Sequence, residues 1–407
     1  MSQQTQGVSA AGSPARTPEL TYSEAETELR GAVRAVLDSR APWPAVLART
    51  ESADTYDTGL WRTLAAEVGC AGLLVPEQHG GAGASFREAA VVAEEVGRAL
   101  AAVPYLGSAV LATVALLHAT RAPGAGAGLP AADAELLSWL AAGTTTAALA
   151  VPFATMPGTR PEPTVRVGPA GTGDGEGTYR LSGSVPGVAE ALPADVLIVP
   201  ADGVPYGLYV ISAADAGVSR APVVSLDMTR QLCDLTLTDV SARRAAAGAA
   251  AEHAVTAALR AGAAMLAAEQ VGLAGRALEI TLDYVKQRHQ FARPVGSFQA
   301  IKHRLADLWV AITQARAASR YAAACLASSD PDTDVAVALA KAAGSDTALK
   351  AGQEMVQLHG GIGFTWEHPA HLYLKRAKSG SIGLGTADRH RAALAGLVDL
   401  PPAGAGS

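Results

Sequence analysis

Residues 357–391 read QLHGGIGFTWEHPAHLYLKRAKSGSIGLGTADRHR, and the reading of this stretch decides the fold. It opens on a glycine turn at Gly360, Gly361 and Gly363. It closes on a second pair, Gly383 and Gly385, followed by Thr386. Without a Cβ, glycine reaches positive φ and lets a ligand or another backbone come close. Either turn alone reads first as a helix stop. Between them, residues 372–378 carry a short helical pattern. Upstream, RHQFARPVGSFQAIKH at 288–303 sets an arginine and an aromatic ahead of a Pro/Gly break, and a new apolar stripe follows.

Working outward, 407 residues exceed one ordinary core and imply two or three domains. Hydrophobic residues are 49% and charged residues 17%, so a large interior is affordable to the chain. Aromatics are only 5%, and the Ala-rich remainder leans helical. A net charge of −6 gives no electrostatic case for nucleic acid or an anionic membrane. Cys70, Cys233 and Cys325 are scattered without a C-x-x-C pair, so neither a metal knuckle nor a disulfide framework is implied. His289, His303, His359 and His368 lack metal-ligand spacing. No apolar run approaches the roughly 18 residues of a spanning helix, and a cytoplasmic protein is expected.

In chain order, 1–20 reads as a disordered tail and 21–143 as helical. Ser23 to Glu26 has capping-box form, followed by Leu29, Val33, Val36 and Leu37 at helical spacing. Pro76 and the glycines at 80, 81 and 83 interrupt the helices, and Val91, Val92, Val96 and Leu100 mark the next one. RAPGAGAGLPAA at 121–132 is a loop. From 144 to 240 the period changes: AALAV, TYRLSG, VLIVPA, GLYVIS and CDLTLTDV are short strand-like runs. From 241 to 400 the chain is helical again. Leu259, Leu266, Leu273 and Ile280 form one stripe, and Ile301, Leu305, Leu308 and Ile312 a second. Another helix is expected over 334–355, and 401–407 is a tail.

Together, these passages resemble the acyl-CoA dehydrogenase family over nearly all of 21–400. The resemblance implies an α+β, mainly α fold: an N-terminal helical domain, a middle β domain and a C-terminal four-helix bundle. It implies FAD as cofactor and an acyl-CoA thioester as substrate. An electron-transfer flavoprotein or another acceptor would reoxidise the flavin, in a homo- or hetero-oligomer, dimer or tetramer, with the flavin at the subunit interface. Arg288 matches the arginine that reaches the flavin diphosphate across a dimer interface, and a planar guanidinium fork suits a diphosphate. Gln299 matches a position near the adenine. Gln357, His359, Gly360 and Gly361 match the adenosine-contacting motif, with His359 a packing residue rather than a catalyst. Gly385 and Thr386 match a flavin-phosphate position. The Pro-Glu-x-x-Gly-Gly turn at 76–81 matches the one that lines the acyl-chain end of the site.

Departures from the family pattern govern the functional reading. The base that removes the α-proton stands, in the family, just before Gly-Thr; here that residue is Leu384. Its backbone N–H alone is left to polarise a thioester carbonyl. The alternative position on the long bundle helix falls at Gly262. Glu269, seven residues on and about 10 Å along the axis, reads as a structural or surface residue. Glu367 reads as a helix cap or a partner of Lys375. A missing base slows proton transfer ~100- to 10,000-fold. The family's Thr-Glu-Pro loop is replaced by VPFATMPGTRPEP, and the tryptophan beside the flavin ring is absent, with Pro186 and Val188 in that loop. Three readings stay open: an autonomous dehydrogenase, a base-less subunit that holds flavin for a catalytic partner, and a family member redirected to other thioester chemistry.

Overall fold

The computed structural model describes residues 19–400 apart from 53, 120–129, 162–163 and 169–177. Most of the tail expected at 1–20, most of the 121–132 loop and the 401–407 tail lie outside the described residues. Helices occupy the first part: α1 (Glu24–Arg40), α2 (Trp43–Thr50), α3 (Thr58–Arg62), α4 (Phe86–Ala99), α5 (Thr113–Ala119) and α6 (Ala131–Ala141). The capping box expected at Ser23 is formed: Ser23 Oγ accepts the Glu26 N–H at 3.1 Å, and Glu26 accepts the Ser23 N–H at 2.6 Å. Ser85 and Glu88 repeat the device at the start of α4.

Strands follow: β1 (Ala147–Leu149), β2 (Val165–Gly168), β3 (Thr178–Ala189), β4 (Val196–Ala201), β5 (Gly207–Ser212), β6 (Val218–Pro222) and β7 (Leu232–Ala247). They make one seven-stranded sheet in the order β1-β4-β5-β7-β3-β2, with β6 also on β7. β1 and β4 are parallel, and the other pairs are antiparallel. β2 and β6 carry no strong strand signal, being short and polar. β7 runs past residue 240 because β5 captures it, with Gly207 opposite Ala247 and Val210 opposite Arg243. Pairing there overrides the helical propensity of an Ala-rich end.

The rest is helical but for the small β8–β9 hairpin (His289–Gln290, Arg293–Pro294): α7 (Ala249–Gln287), α8 (Gln299–Ser328), α9 (Thr333–His359), α10 (Ala370–Ile382) and α11 (Ala387–Leu397). α7, α8, α9 and α10 pack as a bundle. The architecture is therefore α+β, mainly α, as expected. Leu259, Leu266 and Leu273 are fully buried along α7. Among the described residues no helix is long and apolar enough to cross a membrane, and no side-chain group is placed to hold a metal.

α7 is the axis of the molecule, and α4 crosses it at backbone contact. A Cβ at Gly97 would collide with the Glu269 carbonyl, and one at Gly272 with the Glu94 carbonyl. Neither neighbour is a side-chain tip that can swing aside. Gly272→Ala is therefore expected to destabilise the chain by about 3 kcal/mol, read as a lower urea midpoint. Gly275→Ala, three residues on, would meet only the flexible end of Arg316 at 3.4 Å. It should be neutral or stabilising by up to about 1 kcal/mol.

Candidate functional site

Two places concentrate the residues singled out by the sequence, one at each end of α10. The first is an open groove of about 610 Å³ where the end of α7, the 288–298 connection, the start of α8 and the end of α9 meet. Arg288, Gln357, His359, Gly360 and Gly361 all line it, although the first is far from the others in sequence. The Arg288 backbone is fixed: its N–H donates to the Tyr284 carbonyl at 2.8 Å, and its carbonyl accepts from the Val295 N–H at 2.7 Å. Its side chain is exposed, and among the described residues nothing pairs with the guanidinium. Arg304, also in the lining, is held by Glu354 at 2.8 Å.

His359 stacks on Tyr284 and meets the His368 ring at a tilt, with ring centroids 4.3 and 4.1 Å away. Its Nδ1 lies 2.6 Å from the Met355 carbonyl. A carbonyl only accepts, so Nδ1 carries the proton and Nε2 is a bare acceptor. That Nε2 is buried without a partner, and burial holds the ring's pKa below the usual histidine value, so the ring is neutral near pH 7. Gly360 needs glycine for its φ of 61°. Gly361 has no such need, and a Cβ on it meets nothing within 4 Å. Gly363, by contrast, is demanded by packing, since a Cβ would lie 2.6 Å from the Val356 carbonyl. Gln299 begins α8, is exposed, and is not part of the lining. Phe291 and Phe364, 88% and 78% exposed, present large apolar faces on the same domain.

The second place is the 383–386 turn between α10 and α11. α10, with 13 residues and so about 20 Å long, stands between this turn and the 360–364 turn. Leu384 is 1% exposed and has a φ of 54°, a strained value for a side-chain-bearing residue. Its N–H donates to the Phe153 carbonyl at 2.7 Å, so the donor expected to polarise a thioester is already committed. Lys341, fully buried, donates to Gly380 O, Gly385 O and Ser345 Oγ at 3.0, 3.1 and 2.8 Å. Thr386 caps α11. His390 Nε2 donates to the Leu384 carbonyl at 2.8 Å, and burial pushes the ring's pKa down to about 4.

The two base positions counted from the sequence converge here. A Cβ built at Gly262 would stand 3.1 Å from Leu384 Cδ1 and 2.5 Å from Leu111 Cδ2. Both are apolar, and the space between them is full. A carboxylate is nearby, but it is not free. Glu269 is only 5% exposed, so it is a buried rather than a surface residue. It is paired with Arg230 and, at 2.8 Å, with Arg376. Burial alone would raise its pKa, yet the two guanidiniums hold it below the usual carboxylate range. Glu190 accepts the Gly107 N–H at 2.6 Å and faces Arg230 at 3.5 Å. Burial pushes its pKa up despite that arginine.

Phe153, Glu190, Arg230 and Arg376 escaped the sequence reading. The pairs they form join residues dozens to more than a hundred positions apart, which leaves no local pattern. The one available signal was Phe153's place in the segment that departs from the family's loop. Glu367 is exposed, and the Lys375 ammonium lies over the Trp366 ring at 4.7 Å instead of pairing with it. Tight aromatic–cation packing took the lysine first.

Residues 252–397 match the model of the acyl-CoA dehydrogenase C-terminal domain, and residues 23–122 that of the N-terminal domain. The chain is 36% identical over 358 residues to the acyl-CoA dehydrogenase IpdE2 of Mycobacterium tuberculosis (strain ATCC 25618 / H37Rv), a match spanning 88% of this chain and 92% of that protein. Among solved structures, a variant of the steroid ACAD Tcur3481-Tcur3483 superposes with a TM-score of 0.77 at 32% identity, over 92% of this chain and 98% of that one. The ChsE4-ChsE5 complex from Mycobacterium tuberculosis gives 0.80 at 28% identity, over 95% and 100%. The chain belongs to the acyl-CoA dehydrogenase family.

Proposed function

We propose that this chain is the base-less subunit of a heteromeric acyl-CoA dehydrogenase. In this reading it lends a groove to a flavin whose ring and catalytic base belong to the partner subunit. The observation that carries it is the contrast within one chain: an open, donor-rich groove at one end of α10 and a closed, apolar turn at the other. α,β-Dehydrogenation removes an α-proton and a β-hydride from a thioester, and bound FAD supplies the hydride acceptor. Leu384 and Gly262 accept no proton, so this chain's part is to bind and orient.

The groove residues fit the adenosine diphosphate end of FAD. The Arg288 guanidinium is free to fork onto a diphosphate. The bare His359 Nε2 accepts from an N–H or O–H, such as an adenine amino or a ribose hydroxyl. Gly361 leaves room for backbone approach. The exposed Phe291 and Phe364 suit a covered interface rather than free surface. Two of the related structures are named by paired chains, and one of them is named a steroid ACAD. That supports a heteromer acting on the CoA thioester of a bulky, polycyclic acid, with an electron-transfer flavoprotein or another acceptor downstream.

Purified alone, the chain should carry no flavin. Co-purified with its partner, it should be yellow at about one flavin per pair of chains, and acyl-CoA should bleach it. A yellow homo-oligomer bleached by acyl-CoA would sink the proposal. Arg288→Ala should weaken flavin retention by the heteromer about 10- to 100-fold, and Arg288→Lys should restore only part, because an ammonium keeps the charge and loses the fork. Equilibrium dialysis against FAD reads both. Leu384→Glu in the isolated chain supplied with FAD should produce no bleaching by acyl-CoA. It should also lower the melting temperature, since a carboxylate enters an apolar site without a partner, at a penalty of several kcal/mol.

A further inference from the structure

We infer that Phe153 is a built-in plug that seals this chain's own half of the site against a flavin ring and a thioester. The inference deepens the subunit reading and rests on it for the identity of the ligands shut out. Phe153 is 7% exposed and is held by three contacts of its own. Its carbonyl takes the Leu384 N–H at 2.7 Å, and its own N–H donates to the Gly187 carbonyl at 3.0 Å. Pro152 bridges to Val188 beside it. The Arg230 guanidinium covers the ring at 5.1 Å, and Arg230 is in turn fixed by Glu269 and Glu190.

Gly383 shows that the ring and the turn are fitted to each other. Its φ of −57° and ψ of 136° are open to any residue, so no conformational demand explains the glycine. A Cβ there would collide with the Phe153 ring. On the far side, Leu111 and Leu384 occupy the space in front of Gly262. The Gly385 carbonyl is taken by Lys341, and the Leu384 carbonyl by His390. A ligand arriving at this turn would find the Leu384 N–H and the Leu384 and Gly385 carbonyls already bonded and an aromatic ring in its way. Displacing Phe153 would break two backbone hydrogen bonds and uncover buried arginine. The segment is anchored to both the sheet and the C-terminal turn, which distinguishes a plug from a loop that swings.

The test uses the FAD-loaded heteromer and lumiflavin, a flavin ring without the diphosphate tail, followed by fluorescence quenching. Wild type should take up no lumiflavin beyond its bound FAD. Phe153→Ala should gain a lumiflavin site at least about tenfold tighter than any residual wild-type binding. A folded Phe153→Ala protein that takes none, or a wild type that binds as well as the variant, overturns the plug. Should Phe153→Ala fail to assemble, Phe153→Leu and hydrogen exchange on the wild type decide. The Leu384 amide should stay equally protected with and without acyl-CoA, and loss of protection on adding acyl-CoA would show that the plug withdraws. Arg288 plays no part in these readouts. A failed plug thus leaves the Arg288 result standing, and a failed groove leaves the lumiflavin result standing.

Discussion

Glu269 lies midway along α7 between two guanidiniums, Arg230 from the strand-rich part of the chain and Arg376 from α10. All three are buried, so each charge is tolerable only because the others are present. Removing one partner from such a set typically costs about 3–5 kcal/mol, because the remaining ion is left dry and unpaired. The sheet, α7 and α10 are fixed to one another through this point. α4 is fixed to the same stretch of α7 by Gly97, which rests on the Glu269 carbonyl itself. One residue thus contributes its side chain to one junction and its backbone to another.

This arrangement makes the buried Glu269 carboxylate unsuited to proton chemistry. A general base needs an open path to a carbon acid and a pKa near the working pH. Glu269 has neither: it is enclosed, and its two arginines hold it ionised. Glu190 is pushed toward its neutral form by burial but is occupied by the Gly107 amide and walled in by the same cluster. The polar interior here serves cohesion between the parts of the fold, and Phe153 packs against its edge. The groove around Arg288 follows the opposite logic. The Arg288 backbone is hydrogen-bonded, while among the described residues its guanidinium and the His359 Nε2 have no partner.

Much of this was legible in the sequence because it depends on local rules. The capping box at Ser23, the periodic leucines of α7 and α8 and the glycine turns each follow from propensity and periodicity. Leu384 and Gly262, far apart in sequence, do face each other in the fold. The ends of elements were less legible. β7 continued because β5 pairs with it, and α10 began before and ended after the stretch expected for it, with Ala370 buried at one flank and the Gly380 carbonyl bound by Lys341 of α9 at the other.

The sequence by itself determined the family, the order of helical and strand-rich parts and that neither Leu384 nor Gly262 bears a side chain able to take a proton, because motifs and periodicity are local. Only the tertiary structure decided that Arg288 shares a groove with His359 and Gly361, that Glu269 is locked between two arginines, and that Phe153 takes the one donor Leu384 had left. Those facts depend on which distant residues meet when the core closes. No spacing along the chain encodes whether a hydrogen-bonding group ends up facing a ligand or already satisfied by its own protein.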